Sequence, residues 1–311
     1  MERKTSGARI KAKKRLFVLS LFLMVGVLVG GGLLPLRKGF AQNPVPVATS
    51  APVDPNFIVL LSDLHLCGSE EVPEKYQGDD VRATEMIDRI LAMNPRPAAV
   101  LIFGDLASKS GDEVDYVLAK SLLSRLDEAG IPWRVAMGNH DNRSAFLKVF
   151  PEQATLSELP NRHTFRFKTD RVDFLFLDIL DDNDSPVRPL DDLQRNWLAE
   201  RLQEAEKDGR PVLVCSHYPM ELLVIDDILR DAPAVVGCLQ AHLHLWRTDD
   251  LDVTPEDGSE KVTIPRIGIP SVAYGNSVGY LPLYLGDHVW AFTFEATQPD
   301  PNSGATYGIK R

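Results

Sequence analysis

Cysteine is scarce in this chain. Only Cys67, Cys215 and Cys238 occur among 311 residues. An odd count excludes a fully paired disulfide framework. Cys215 and Cys238 lie within apolar runs, as small buried thiols do. Internal repeats and low-complexity arrays are also absent, which excludes solenoid and fibrous architectures. Positive charge is the third shortage. Residues 1–41 hold nine of the 34 basic side chains and one of the 44 acidic ones, leaving 25 against 43 and a net charge of −18 beyond them. So negative a surface repels duplex nucleic acid and anionic lipid headgroups. A dedicated binder of either is excluded.

What is present begins with an asymmetric N-terminus. Seven basic residues in the first 15 precede an uncharged stretch, Leu16 to Leu36, and then Arg37-Lys38-Gly39-Phe40-Ala41. A basic head, an apolar run and a small-x-small site describe an export signal. An uncleaved anchor is the alternative, since the stretch could span about 30 Å of hydrocarbon. The glycine triplet at 30–32 and Pro35 leave Leu16 to Val29 as the convincing helix. Either way the head stays cytoplasmic and the remainder is exported. Residues 42–55 carry four prolines and no periodicity, and read as an extended linker. The domain is expected over 56–296, with a tail at 297–311.

With 44% hydrophobic and 25% charged residues the chain has the composition of a globular protein with a full core. Beyond the linker, short apolar runs alternate with amphipathic stretches. Helices are expected near 80–93, 112–129 and 190–207, and 249–260 is expected to be an exposed loop. Strand-helix alternation followed by a strand-rich end implies mixed sheets with helices outside. Five apolar runs end in a side chain able to hold a metal: Asp63, Asp105, Asn139, His217 and His242. Five of the seven histidines (His65, His140, His217, His242, His244) sit at these ends. Ligands of α/β folds gather at the carboxyl ends of strands, so the clustering implies a site.

In order, the blocks read Asp63-x-His65, Gly104-Asp105, Gly138-Asn139-His140-Asp141, Ser216-His217 and His242-x-His244. Together they resemble the calcineurin-like metallophosphoesterase family over about residues 57–244. "GNHDNR" and the later "PSVAYGNSVGY" resemble its cyclic-nucleotide and glycerophosphodiester phosphodiesterase branch. The resemblance implies a four-layer αββα sandwich, two mixed β-sheets flanked by helices. It also implies two divalent metals, with Asp63, His65 and His244 on the first, Asn139, His217 and His242 on the second, and Asp105 bridging. Imidazole and oxygen donors together suit Mn, Fe, Zn or Co. His140 would then stand beside the leaving oxygen as general acid or electrostatic stabiliser, and Arg143 could bind a phosphate oxygen or form an ion pair.

The implied activity is hydrolysis of a small-molecule phosphate ester, a diester first. A monoesterase of the same fold or a non-catalytic metal-binding module are the alternatives. Two departures from the pattern matter. Ala241 stands where the family has glycine before His242, which adds a methyl but removes no ligand. Ser108 and His65 occupy positions where purple acid phosphatases carry tyrosine and glycine, so that sub-branch is excluded. Asp141 is expected to orient the loop locally. His163, His288, Cys67 and the four tryptophans are expected to be structural. Loops 68–80, 181–190 and 249–260 are expected to read the substrate.

Overall fold

The computed structural model describes residues 51–253 and 261–310, so the expected leader and most of the linker lie outside the described residues. Two sheets form the molecule. In the first, β1 (Val53–Leu61), β2 (Arg96–Ile102) and β3 (Trp133–Val135) run parallel and adjacent. On the other side of β1 lie, all antiparallel, β10 (Gly279–Leu285), β11 (Val289–Thr293) and β13 (Thr306–Lys310), while β12 (Glu295–Ala296) pairs with β10. The second sheet runs in the order β4 (Phe165–Lys168), β5 (Asp173–Phe176), β6 (Val212–Ser216), β7 (Val235–Gln240), β9 (Val262–Gly268) and β8 (Arg247–Val253). Its inner strands β5, β6, β7 and β9 are parallel and its edges antiparallel.

Strand side chains alternate between faces, and here both faces are apolar because both are covered. Ile58 and Leu60 of β1, Leu101 of β2 and Leu213 and Cys215 of β6 enter one cluster with Phe165, Phe174, Phe176, Phe292 and Trp290. That cluster draws on both sheets and lies between them. The alternate residues Val59, Leu61, Val100, Ile102, Val212 and Val214 pack instead with the helices. These are α1 (Asp79–Leu91), α2 (Glu113–Glu128) and α4 (Asp192–Lys207), close to the expected spans. On α1, Ala83, Met86, Ile87 and Ile90 are buried, the spacing of one helical face. Asp191 caps α4 by accepting the Gln194 N–H at 2.8 Å. Two sheets with helices outside is the fold expected.

Three boundaries differ from expectation. β1 begins at Val53, and Val53 and Asp54 already pair with Arg96 and Pro97, so the linker ends earlier than residue 55. The segment at 297–311 is not a tail, because β13 completes the first sheet against β11 and buries Ile309. Residues 249–253 belong to β8 rather than to a loop. Its alternation was hidden because Asp249, Asp250 and Asp252 face ion-pair partners or solvent. Two short helices, α3 (Arg143–Val149) and α5 (Asp226–Arg230), went unforeseen because neither carries a full apolar repeat. Among the described residues no helix is long and apolar enough to cross a membrane.

Candidate metal centre

The parallel strands of both sheets deliver the expected side chains to one place. Asp63 and His65 follow β1, Asp105 follows β2, Asn139 and His140 follow β3, His217 follows β6, and His242 and His244 follow β7. Donor atoms lie within 4.8 Å of one another in three overlapping groups: Asp63, His65 and His244; His65, Asp105 and His140; and Asp105, His217 and His242. Asn139 joins the last group, its Oδ1 lying 3.1 Å from His217 Nε2. Asp105 stands between the two histidine sets, with Oδ2 3.9 Å from His65 Nε2 and 3.3 Å from His217 Nε2. Its other oxygen accepts the His140 backbone N–H at 2.8 Å, which fixes the carboxylate plane.

The backbone bends sharply to achieve this. Asp63, His65, Asp105, His242 and His244 all have φ between 48° and 70°, the left-handed region that side chains normally avoid. Such strain is sustained only where the surroundings over-determine it, and it gathers at functional sites. Gly138 is required for the same closeness, since a Cβ there would stand 2.2 Å from Asp105 Oδ1. Ala241, by contrast, is not in the left-handed region, and its extra methyl packs in the cluster between the sheets.

The donor set fits divalent cations. The carbonyl of Phe103 lies 2.8 Å from His217 Nδ1 and that of Tyr274 lies 2.7 Å from His244 Nδ1. A carbonyl can only accept, so both Nδ1 atoms carry protons and both Nε2 atoms turn lone pairs into the site. His244 Nε2 faces Asp63 Oδ1 at 3.0 Å and His65 Nε2 at 3.2 Å. Lone pairs that close repel unless positive charge lies among them. Both oxygens of Asp63 are buried and accept no hydrogen bond. Burial alone would raise Asp63 and Asp105, yet His244 holds the first and His217 the second below the usual carboxylate range. Burial pulls His217 down, yet Asp105 lifts it to about 9, so unless a cation takes the place of the proton, His217 Nε2 carries one toward Asp105 rather than a lone pair. Burial holds His65 and His242 to about 4, so they stay neutral and able to ligate. These acids and imidazoles thus demand a cation.

His140 is half-buried, and its Nδ1 lies 2.6 Å from the Lys109 carbonyl. Asp141 faces away from the cluster into the fold. It accepts the N–H groups of Ala107 at 3.1 Å and Gly138 at 2.9 Å and the Tyr116 hydroxyl at 3.1 Å, and so ties the two glycine turns together. Burial, then Asp105, raises its pKa to about 7. Of the two expectations for Arg143, the structure shows the ion pair, and a buried rather than a surface one. Its guanidinium is buried, donating to Asp178 at 2.6 Å and to the carbonyls of Leu180 and Asp181 at 3.2 and 2.6 Å. As the first residue of α3 it turns into the core and braces the loop that follows β5.

His163 is buried, its backbone N–H donating to Asp178 at 2.6 Å, and His288 lies exposed before β11. All three cysteines are free and buried. Trp133 and Trp197 are buried with their indole N–H on Asp127 and Glu158, and Trp246 stacks on Phe294. Tyrosines also surround the centre, a role not expected of them. Tyr274 stacks on His65 with centroids 5.1 Å apart, and Tyr218 meets His242 edge-on at 4.8 Å. Lys75 stands 5.1 Å from the ring centroids of both Tyr76 and Tyr274. Tyr218 follows His217 and Tyr274 lies in "PSVAYGNSVGY", but their contacts with His242 and His65 run between distant loops and no spacing reveals them.

A family profile described as calcineurin-like phosphoesterase matches residues 58–245. The chain belongs to that family. Among curated proteins it is 28% identical over 212 residues to a probable cyclic nucleotide phosphodiesterase of Rhodococcus erythropolis, covering 62% of this chain and 66% of that protein. It is likewise 28% identical over 207 residues to a cAMP/cGMP dual specificity phosphodiesterase of Mycobacterium tuberculosis, covering 61% of this chain and 62% of that one. The match thus spans less than two thirds of either relative. Among solved structures, a dimetal phosphatase from Danio rerio superposes with a TM-score of 0.60 at 14% identity, covering 83% of this chain and 99% of that one. PhoD does so at 0.53 and 14%, covering 82% and 68%. The chain shares its fold with both of these solved structures.

Proposed function

We propose that this protein hydrolyses a small-molecule phosphodiester, of cyclic-nucleotide or glycerophosphodiester type, with two divalent metal ions. The observation that carries this is the position of Asp105, one carboxylate oxygen of which serves both histidine sets. Asp63, His65 and His244 would hold one cation, Asn139, His217 and His242 the other, and Asp105 both. Such a pair supplies the acidity that makes water nucleophilic at neutral pH and neutralises the phosphoryl oxygens in an in-line displacement. The ions are Mn, Fe, Zn or Co.

His140 belongs to the reaction rather than to the metals. Its Nδ1–H donates to the Lys109 carbonyl at 2.6 Å. The other ring nitrogen, Nε2, is therefore the atom that delivers a proton to the departing oxygen. The tyrosines packed on His65 and His242 keep water off the outer faces of these imidazoles and hold their orientation. The diester preference rests on the "GNHDNR" and "PSVAYGNSVGY" segments and on the two curated relatives named as phosphodiesterases. Residues 1–41 carry the pattern of an export signal or anchor, so the domain acts outside the cytoplasm.

The direct assay is the Mn-loaded protein on bis-p-nitrophenyl phosphate beside p-nitrophenyl phosphate. Faster turnover of the diester, abolished by chelation and restored by Mn, Co or Zn, is expected. Faster turnover of the monoester would move the protein to the phosphomonoesterases.

A further inference from the structure

With Arg143 committed to the core, any side-chain cation that meets the substrate beside the metals must come from elsewhere. We propose that Arg188 binds the phosphoryl oxygens of substrate and product at the His217–His242 side of the centre. This rests on the phosphoesterase reading and deepens it.

Three observations converge on Arg188. The first is position. Its guanidinium carbon lies 4.5 Å from the ring centroid of Tyr218, whose ring is in turn edge-on to His242 with centroids 4.8 Å apart. Only one aromatic ring separates the guanidinium from a donor of the cluster. The second is freedom. Arg188 is exposed and, among the described residues, forms no ion pair, whereas Arg143, Arg162, Arg195 and Arg266 are each held by a carboxylate. An unpaired guanidinium on so acidic a protein is available to an anion brought to it.

The third is support. The Val187 N–H bonds to the Ile179 carbonyl at 2.9 Å, and the Leu190 N–H bonds to the Leu223 carbonyl at 3.0 Å. Arg143 holds the start of the same loop through Asp178, Leu180 and Asp181. The backbone on both sides of Arg188 is thus held by hydrogen bonds while its side chain lies exposed over the Tyr218 ring. A planar guanidinium offers two parallel N–H donors that match two phosphoryl oxygens, a geometry no ammonium reproduces.

The test measures binding rather than turnover. Inorganic phosphate is titrated calorimetrically into the Mn-loaded full chain of wild type, Arg188→Gln and Arg188→Lys, with metal content checked by elemental analysis. Arg188→Gln should bind phosphate about tenfold more weakly at unchanged metal content, the loss of one charge-assisted contact open to solvent. Arg188→Lys should recover only part of that. Equal affinity in Arg188→Gln and wild type would overturn the proposal, and full recovery in Arg188→Lys would overturn the two-donor contact. No phosphate binding by metal-loaded wild type would instead strike the phosphoesterase reading on which the proposal stands.

Discussion

At the scale of single residues, His140 separates chemistry from metal binding. One of its ring nitrogens lies within 4.8 Å of donor atoms of His65 and Asp105, closer than its place after Asn139 suggested. Its bond to Asp105, however, comes from the backbone N–H, which alanine retains. His140→Ala should therefore keep both metals and lose about 10²–10⁴ in rate on an alkyl or ribose diester, or roughly 3–5 kcal/mol. A p-nitrophenolate leaves without a proton, so the nitrophenyl diester should suffer far less. Rates on both substrates beside metal analysis decide it. Equal losses would make His140 a stabiliser of phosphoryl charge, and lost metal would make it a ligand.

The same scale shows what could be read from the chain alone. Asp63, His65, Asp105, Asn139, His217, His242 and His244 were legible because each sits in a short block at the end of an apolar run. Arg143 stayed open between a phosphate contact and an ion pair for the converse reason. Adjacency to Asn139 and His140 says nothing of direction, and the first turn of α3 aims the side chain at Asp178. Tyr218 could have been suspected, since it follows His217 directly, but nothing local says that Arg188 lies over it. Tyr274 lies inside the segment "PSVAYGNSVGY", but nothing in that segment says that it reaches back more than 200 positions to stack on His65.

At the scale of elements, alternation foretold mixed sheets with helices outside, and the strand-end ligands foretold where the site would lie. β8 and β13 escaped because they are edge strands with exposed polar residues, and β13 follows a run of Pro, Asp, Asn and Gly that reads as a tail. β13 nonetheless covers the edge of β11 through five paired positions and buries Ile309 between the sheets. Truncation after Ala296 would leave β11 an open edge, with unpaired N–H and C=O groups. Lost burial of Ile309 alone costs about 1.5–3 kcal/mol. The truncated protein should melt several degrees lower and tend to aggregate, as thermal unfolding with light scattering would record. An unchanged Tm would restore the boundary at 296.

At the scale of the whole molecule, the charge distribution and the two-sheet frame serve different ends. The basic head of residues 1–15 and the apolar run behind it should carry the acidic domain out of the cytoplasm. Fractionation should find it released near residue 42 or membrane-bound, and full-length soluble protein in the cytosol would exclude export. The frame itself brings β1, β2 and β3 of one sheet and β6 and β7 of the other to a common end, and Asp105 is the group at their junction. The proposed activity depends on that carboxylate joining two metals. Elemental analysis of metal-loaded wild type beside Asp105→Ala tests it directly. Two ions per chain in wild type and loss of both in Asp105→Ala are expected, with His217→Ala weakening mainly one. Equal metal content in wild type and Asp105→Ala would contradict the dinuclear centre.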